Sequence, residues 1–294
     1  FFALAGMIGC LPAFQSNQLI QITGDLAFSE IENFNIFGGL VLAGITGIVV
    51  IGGLKRIAEV ATFLVPLMGS IYFGAMLIAL TLNLDQVFPA FKLILVDAFN
   101  GTAIAGGTFF GVLIYGVRRG AFSNEAGMGT ESLVHGVAKV SDPVKQGLVA
   151  MTGPIFDTLI ICTATALMIL ISGVWETSTS QGVTLTAEAF SMLLGNFGGF
   201  ILFICVICFG LSTIFTYSYY GASCSRFLFG KFGMKFYIYL YIFSIFIYSI
   251  VPIDIAINIA DGAFAMMAIP TLVSALWLAP KVMQASRNYF KLIK

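Results

Sequence analysis

Eight apolar runs, each close to the length that crosses a bilayer, dominate this chain and leave few folds open to it. A spanning helix needs about 20 consecutive apolar residues. Runs that meet or approach this length occupy residues 1–23, 37–53, 60–82, 99–117, 144–172, 197–223, 232–251 and 255–278. The second is short, and the fifth is long enough to extend beyond the membrane. Charged residues are 10% of the 294-residue sequence and hydrophobic ones 59%, whereas soluble domains are about a quarter charged. So few charges cannot cover a water-soluble surface of this size, and lipid is the expected solvent for most of it. The expected fold class is all-α: a polytopic membrane protein of about eight transmembrane helices.

The basic residues orient these helices, because short cytoplasmic loops are enriched in Lys and Arg. Lys55 and Arg56 follow the second run. Arg118, Arg119, Lys139 and Lys145 follow the fourth, Arg226, Lys231 and Lys235 the sixth, and Lys281, Arg287, Lys291 and Lys294 the eighth. Thirteen of the fourteen basic residues thus fall on one side, and Lys92 alone falls on the other, with Asp25, Glu30, Glu32, Asp85, Asp97, Glu176, Glu188 and Asp254. Both ends of the chain are expected in the cytoplasm, in a cell (inner or plasma) membrane. Residue 1 is Phe, and no charged segment with a small-residue cleavage site precedes the first run, so a signal peptide is not expected. The chain reads as beginning inside a longer protein.

Little in the sequence supports an enzyme. There is one histidine, His135, and no pairing of a nucleophile with a base. Cys205 and Cys208 form a C-x-x-C inside an apolar helix with no second pair, which argues against zinc or redox chemistry. No cofactor is expected and no nucleic-acid partner. A channel is disfavoured because no charge ring or repeated filter sequence is visible.

The fourth run points to transport. Gly101, Gly106, Gly107 and Gly111 cluster in it, and each glycine weakens a helix interior by about 1 kcal/mol relative to alanine. Unwound backbone at membrane depth survives only where protein buries it or a cavity adjoins it. Transporters place substrate and ion at such breaks. Close helix packing through the G-x-x-x-G of Gly107 and Gly111 is the competing reading. Many transporters consist of two inverted repeats of five helices, each opening on a broken helix. On that plan residues 1–98 are the remaining three spans of a first repeat lacking its first two helices. Residues 99–280 are the complete second repeat, and 281–294 a cytoplasmic tail.

Several stretches carry a resemblance. They are Gln15-Ser-Asn, Gly52-Gly-Leu-Lys-Arg-Ile-Ala, Gly120 through Gly129, Asp142-Pro-Val-Lys-Gln-Gly, Phe156-Asp-Thr-Leu-Ile-Ile-Cys-Thr, Ser212-Thr213 and Tyr217-Ser-Tyr-Tyr-Gly. In order and along nearly the whole chain, they resemble the alanine or glycine:cation symporter family. The resemblance implies a leucine-transporter-like fold that couples sodium entry to uptake of alanine or glycine, with sodium as coupling ion. The chain departs from the family pattern at Thr216, Tyr217 and Ala222, where the family has Gly, Trp and Glu. The Trp position resembles part of the substrate pocket wall, and Tyr217 keeps an aromatic face there while adding a hydroxyl. A non-transporting remnant or subunit of such a transporter is the alternative.

The resemblance also sorts the polar residues inside the spans. Phe14, Gln15 and Asn17 in the first run are candidate substrate-binding residues, since neutral amides bind a zwitterion without burying a charge. Interhelical hydrogen bonding would equally explain the amides. Gly106, Gly107, Thr108 and Tyr217 join them as substrate-binding candidates. The hydroxyls of Ser212 and Thr213 suit a hard cation such as sodium, against back-bonding to the preceding turn. Asp157 lies deep in the fifth run, roughly 21 Å along a helix from Pro143, and an intramembrane carboxylate is a functional candidate by default. Thr158, Thr163 and backbone freed by Pro154 are its alternative partners. Asp261 in the eighth run has the same two readings. Asn124 and Glu125, beside Arg118 and Arg119, are candidates with Asp157 for a gate or coupling role, with a solvated charge cluster as the alternative. Asp142 and Pro143 read as N-cap and first residue of a helix.

Overall fold

A computed structural model describes residues 1–28, 30–99 and 108–293. Among these the chain forms helices joined by turns, with no strand. The protein is an all-α, multi-pass membrane protein. The helices are α1 (Phe2–Gly9), α2 (Ala13–Ala27), α3 (Phe34–Val50), α4 (Gly53–Leu82), α5 (Leu84–Ala98), α6 (Thr108–Asn124) and α7 (Thr130–His135). They continue with α8 (Pro143–Pro154), which passes through a π-helical segment (Ile155–Cys162) into α9 (Thr163–Ser172), then α10 (Val174–Thr177), α11 (Val183–Leu194), α12 (Asn196–Ile250) and α13 (Ile253–Ile293). Each expected span coincides with a helix or a helix pair over its described residues.

Among the described residues, four continuous helical stretches are long and apolar enough to cross a membrane: Gly53–Leu82, Pro143–Ser172, Phe197–Ile250 and Ile253–Lys291. The third has 54 residues, about 81 Å at 1.5 Å per residue, far more than one crossing requires. Gly230, at φ 68 and ψ −158, interrupts it and divides it into the sixth and seventh spans. Large apolar side chains stand outward along the helices; Phe63, Phe197, Phe227, Phe232 and Trp277 are all at least 70% exposed. An apolar exterior of this extent is what a lipid-facing surface requires.

Several boundaries differ from the sequence expectation. The fourth span starts its described helix at Thr108 and runs on to Asn124, past the expected end at 117. Arg118 and Arg119 therefore sit on a helix and not in a loop. The segment 281–294, expected as a tail, continues α13 as helix to Ile293. Helices α5, α10 and α11 occupy connections that were expected as loops. The break expected at Gly101, Gly106 and Gly107 lies outside the described residues.

The first span contains a break that was not expected. Helix α1 ends at Gly9 and α2 begins at Ala13, with Pro12 between them. Proline has no amide hydrogen and its ring clashes with the preceding turn. The Leu11 amide bonds Ile8 O at 3.1 Å, so Met7 O loses its ordinary partner four residues on. Tyr237 of α12 compensates, its hydroxyl donating to Met7 O at 2.8 Å. Tyr237 reaches that carbonyl only because residue 221 is Gly. A Cβ there would lie 2.0 Å from Tyr237 Oη.

Helix α12 is the axis of the fold and packs on α1, α2, α3, α4 and α11. Ile214, Phe215, Tyr217, Tyr241 and Ile245, all nearly inaccessible, make one core with Leu19 and Ile20 of α2 and Phe264 and Met267 of α13. The Tyr241 hydroxyl donates to Ile214 O at 2.6 Å and ties the two halves of α12 together. A second core joins Ile22, Tyr72, Met76, Met168, Phe190 and Leu202.

Replacing Tyr237 with Phe leaves Met7 O unsatisfied in a dry interior, at a cost of about 1–3 kcal/mol. Thermal unfolding of the purified variant in detergent should show that loss. An unchanged midpoint would contradict the role given to Tyr237.

Candidate functional site

The first span, the end of α6, the turn after it, α12 and α13 converge on a continuous aromatic cluster. Phe14 of α2 meets Phe122 of α6 edge-to-face, with ring centroids 5.3 Å apart. Phe122 meets Phe264 of α13 at 5.4 Å, and Phe264 meets Tyr217 of α12 at 6.4 Å and 90°. Tyr217 then packs on Tyr220 at 5.7 Å. The two aromatic residues expected to line a pocket, Phe14 and Tyr217, therefore belong to one cluster. Phe122 and Phe264, which link them, carry no pattern in the sequence that distinguishes them from the chain's other 27 phenylalanines.

The turn between α6 and α7 closes on this cluster. Glu125 adopts a left-handed backbone at φ 56, as do Gly127 and Gly129 at φ 81 and 87. A non-glycine residue with positive φ is uncommon and strained. Gly129 is required by space as well, because a Cβ would sit 2.5 Å from Thr271 Oγ1 and 2.7 Å from Phe2. Thr271 Oγ1 of α13 donates to Met267 O of its own helix at 2.9 Å and lies 3.3 Å from Met128 O, so the turn packs against α13. The Glu125 side chain is directed inward. Its removal from water pushes its pKa up, as do the carboxylates of Glu131 and Asp157, while the hydroxyls of Thr130 and Tyr217 favour the charged form.

Beside the turn lies a polar network between α6 and the π-helical segment. Ser123 Oγ donates to Asp157 Oδ2 at 2.6 Å, and Thr158 Oγ1 approaches the same oxygen at 3.4 Å. Asn124 Nδ2 donates to Thr158 Oγ1 at 2.9 Å, and Asn124 Oδ1 accepts from the Ala126 amide at 2.9 Å. The π-helical segment begins directly after Pro154. π-bulges commonly re-aim side chains at functional positions, and this one presents Asp157 and Thr158 together to α6. Asp142 caps α8 as expected, accepting from the Val144 amide at 2.8 Å.

Arg119 does not join Asn124 and Glu125. It forms an ion pair with Asp261 of α13, and its guanidinium lies 5.4 and 5.5 Å from the ring centroids of Tyr115 and Phe122. Its Nε is buried and makes no hydrogen bond. A cleft of about 410 Å³ opens between α6 and α13 beside this pair, bounded by Arg118, Phe122, Asn258, Asp261 and Phe264. The pairing was legible in principle, since an acid inside a span needs a cation, but nothing in sequence spacing chose Arg119 over its neighbours.

The remaining candidates are dispersed. Asn17 donates to Val251 O at 2.7 Å and Tyr248 O at 3.4 Å, the interhelical bonding named as its alternative reading. Pro252 supplies no amide to Tyr248 O, so Asn17 replaces a missing partner. Gln18, overlooked in the sequence, is buried and accepts from the Val183 amide at 3.3 Å. Gln15 is half-buried two residues before Asn17. Ser212 Oγ donates to Phe209 O at 2.9 Å, the back-bonded arrangement, next to Met68. Thr213 follows it, and Ser212 precedes Tyr217 by five residues, about 7.5 Å along α12. Gly106 and Gly107 lie outside the described residues, and Thr108 opens α6.

A sequence model of the sodium:alanine symporter family matches residues 1–294. The chain belongs to the sodium:alanine symporter family. The family is one of transporters, not enzymes. Among relatives, the sodium/alanine symporter AgcS of Methanococcus maripaludis is 34% identical over 97% of this chain and 64% of its own length. An uncharacterized transporter of Bacillus subtilis, YflA, is 34% identical over 99% of this chain and 62% of its own length. The probable sodium/glutamine symporter GlnT of Bacillus subtilis is 32% identical over 93% and 58%. The chain thus spans less than two thirds of the length of each of these relatives.

The Arg119–Asp261 pair makes a quantitative test possible. A double-mutant cycle with Arg119→Met and Asp261→Leu, followed by thermal unfolding, should give a coupling energy of about 0.5–3 kcal/mol. Additive single effects would show that the pair does not hold α6 to α13.

Proposed function

We propose that the protein imports alanine or glycine together with sodium by alternating access, with both ends of the chain in the cytoplasm. The observation that carries this reading is the aromatic cluster: Phe14 and Tyr217, the expected pocket walls, meet through Phe122 of α6 and Phe264 of α13, in a chain of the sodium:alanine symporter family. The helix that follows the glycine-rich segment thus packs directly on Phe14 and reaches Tyr217 through Phe264.

In this reading the amide of Gln15 and the backbone and hydroxyl groups of Gly106, Gly107 and Thr108 receive the zwitterion, while Asn17, a substrate candidate from the sequence, stays bonded to Val251 O and Tyr248 O. Phe14 and Tyr217 bound its side chain. One methylene in a pocket of this kind is worth about 1–3 kcal/mol, so walls of this kind set the size limit. Relatives are named for alanine and for glutamine, so family membership alone leaves the side chain open. The sodium ion is held by Ser212, Thr213 and backbone carbonyls. To bind it, the Ser212 hydroxyl turns from Phe209 O toward the ion. Residues 99–280 act as the second inverted repeat and rock against the first. Asn124, Glu125 and Asp157 transmit the closing of α6 to the π-helical segment. Coupling is reciprocal: sodium raises amino-acid affinity by the factor by which the amino acid raises sodium affinity.

Uptake of radiolabelled alanine by proteoliposomes holding the complete gene product tests the reading. An inward sodium gradient should drive accumulation. Ser212→Ala and Thr213→Ala should each raise the sodium needed for half-maximal uptake about tenfold, equal to about 1.4 kcal/mol. Uptake that persists when choline replaces sodium would overturn it.

A further inference from the structure

Glu125 has surroundings that sodium-coupled symport does not call for. It sits on a single left-handed residue at the end of α6, held there by a turn packed against α13. Its carboxyl group lies between elements that offer it hydroxyls and acids, and the one imidazole nearby, His135 of α7, acts on Glu131. From α12 it faces Tyr217 and Tyr220, from α7 Thr130 and Glu131, from the π-helical segment Asp157, and from the break in the first span Cys10. The guanidinium of Arg119, six residues before it on the chain, is committed to Asp261. The ion pairs found among the described residues are Arg119–Asp261 and Lys55–Glu59, and Glu125 is in neither.

A carboxylate in such a place faces the desolvation cost of its charge and the repulsion of Asp157 and Glu131, with only hydroxyl dipoles in return. A proton removes the charge. The neutral acid can still donate one hydrogen bond to a tyrosine or threonine oxygen and accept others. We propose that Glu125 is a proton-binding site: it carries a proton while the 125–129 turn is docked on α12, and gives it to water when the turn withdraws. The site is distinct from the Ser212 and Thr213 hydroxyls assigned to sodium. It stands whether or not that assignment holds.

Burial pushes the pKa of Glu125 above its ordinary value, so the folded state binds this proton more tightly than the unfolded chain. Its contribution to stability is then full below the unfolded value, about 4.3. It is lost as pH rises through the folded value.

Infrared titration of the purified protein in lipid reads the proton directly and requires no transport. The protonated-carboxyl C=O stretching band should persist above pH 5 and fade at higher pH. It should be absent in Glu125→Gln, present in Glu131→Gln, and present with a shifted midpoint in Glu125→Asp. The thermal midpoint should fall with rising pH in the natural protein and fall less in Glu125→Gln. A natural protein with no such band above pH 5, or a band that survives in Glu125→Gln, would overturn the proposal. If Glu125→Gln does not fold, the natural protein and Glu125→Asp alone decide it by the same band.

Discussion

Hydrocarbon offers a backbone amide or carbonyl no partner, so each interruption of a membrane helix must be answered from elsewhere in the protein. Two interruptions in this chain follow that rule in detail. At Pro12 the carbonyl of Met7 is released and Tyr237 hydrogen-bonds it. At Pro252 the carbonyl of Tyr248 is released and Asn17 hydrogen-bonds it, together with Val251 O. The exchange is reciprocal: α12 supports the break in the first span, and the first span supports the end of α12. Proline thus fixes where the helices part, and the polar residue opposite fixes which helices stay together.

That arrangement leaves room for a site. The break at Pro12 sets the direction in which α2 departs and brings Phe14 against Phe122. Gly221 admits Tyr237, and the same helix carries Ser212, Thr213 and Tyr217. The substitution of Tyr for the Trp of the resembling family has a structural counterpart here. The hydroxyl that tyrosine adds is the group that meets Glu125.

Much of the fold was legible in the sequence because lipid imposes it. Run length gave the spans, and Asp142 with Pro143 gave the start of α8. The helices α5, α10 and α11 were missed because they are short or lie outside the apolar runs, where composition does not separate helix from loop. The break at Pro12 was missed because the run around it stays apolar throughout; only the proline marked it. The site was less legible. Phe14 and Tyr217 were chosen through family resemblance. Phe122, Phe264 and the Arg119–Asp261 pair depend on which helices are neighbours, and sequence spacing within one helix does not encode that. Asn17 illustrates the ambiguity of a buried amide, since the same residue type serves a ligand or a broken helix equally well.

The proposed symport couples a sodium site on α12 to an amino-acid pocket walled by Phe14 and Tyr217. Thermal stability of the purified protein, measured with and without alanine in sodium and in choline, tests it most directly, because a ligand stabilises only the state it binds. Sodium alone should raise the midpoint, and alanine should raise it further in sodium but not in choline. An alanine shift of equal size in both salts would contradict the coupling, and no alanine shift in either would contradict the pocket.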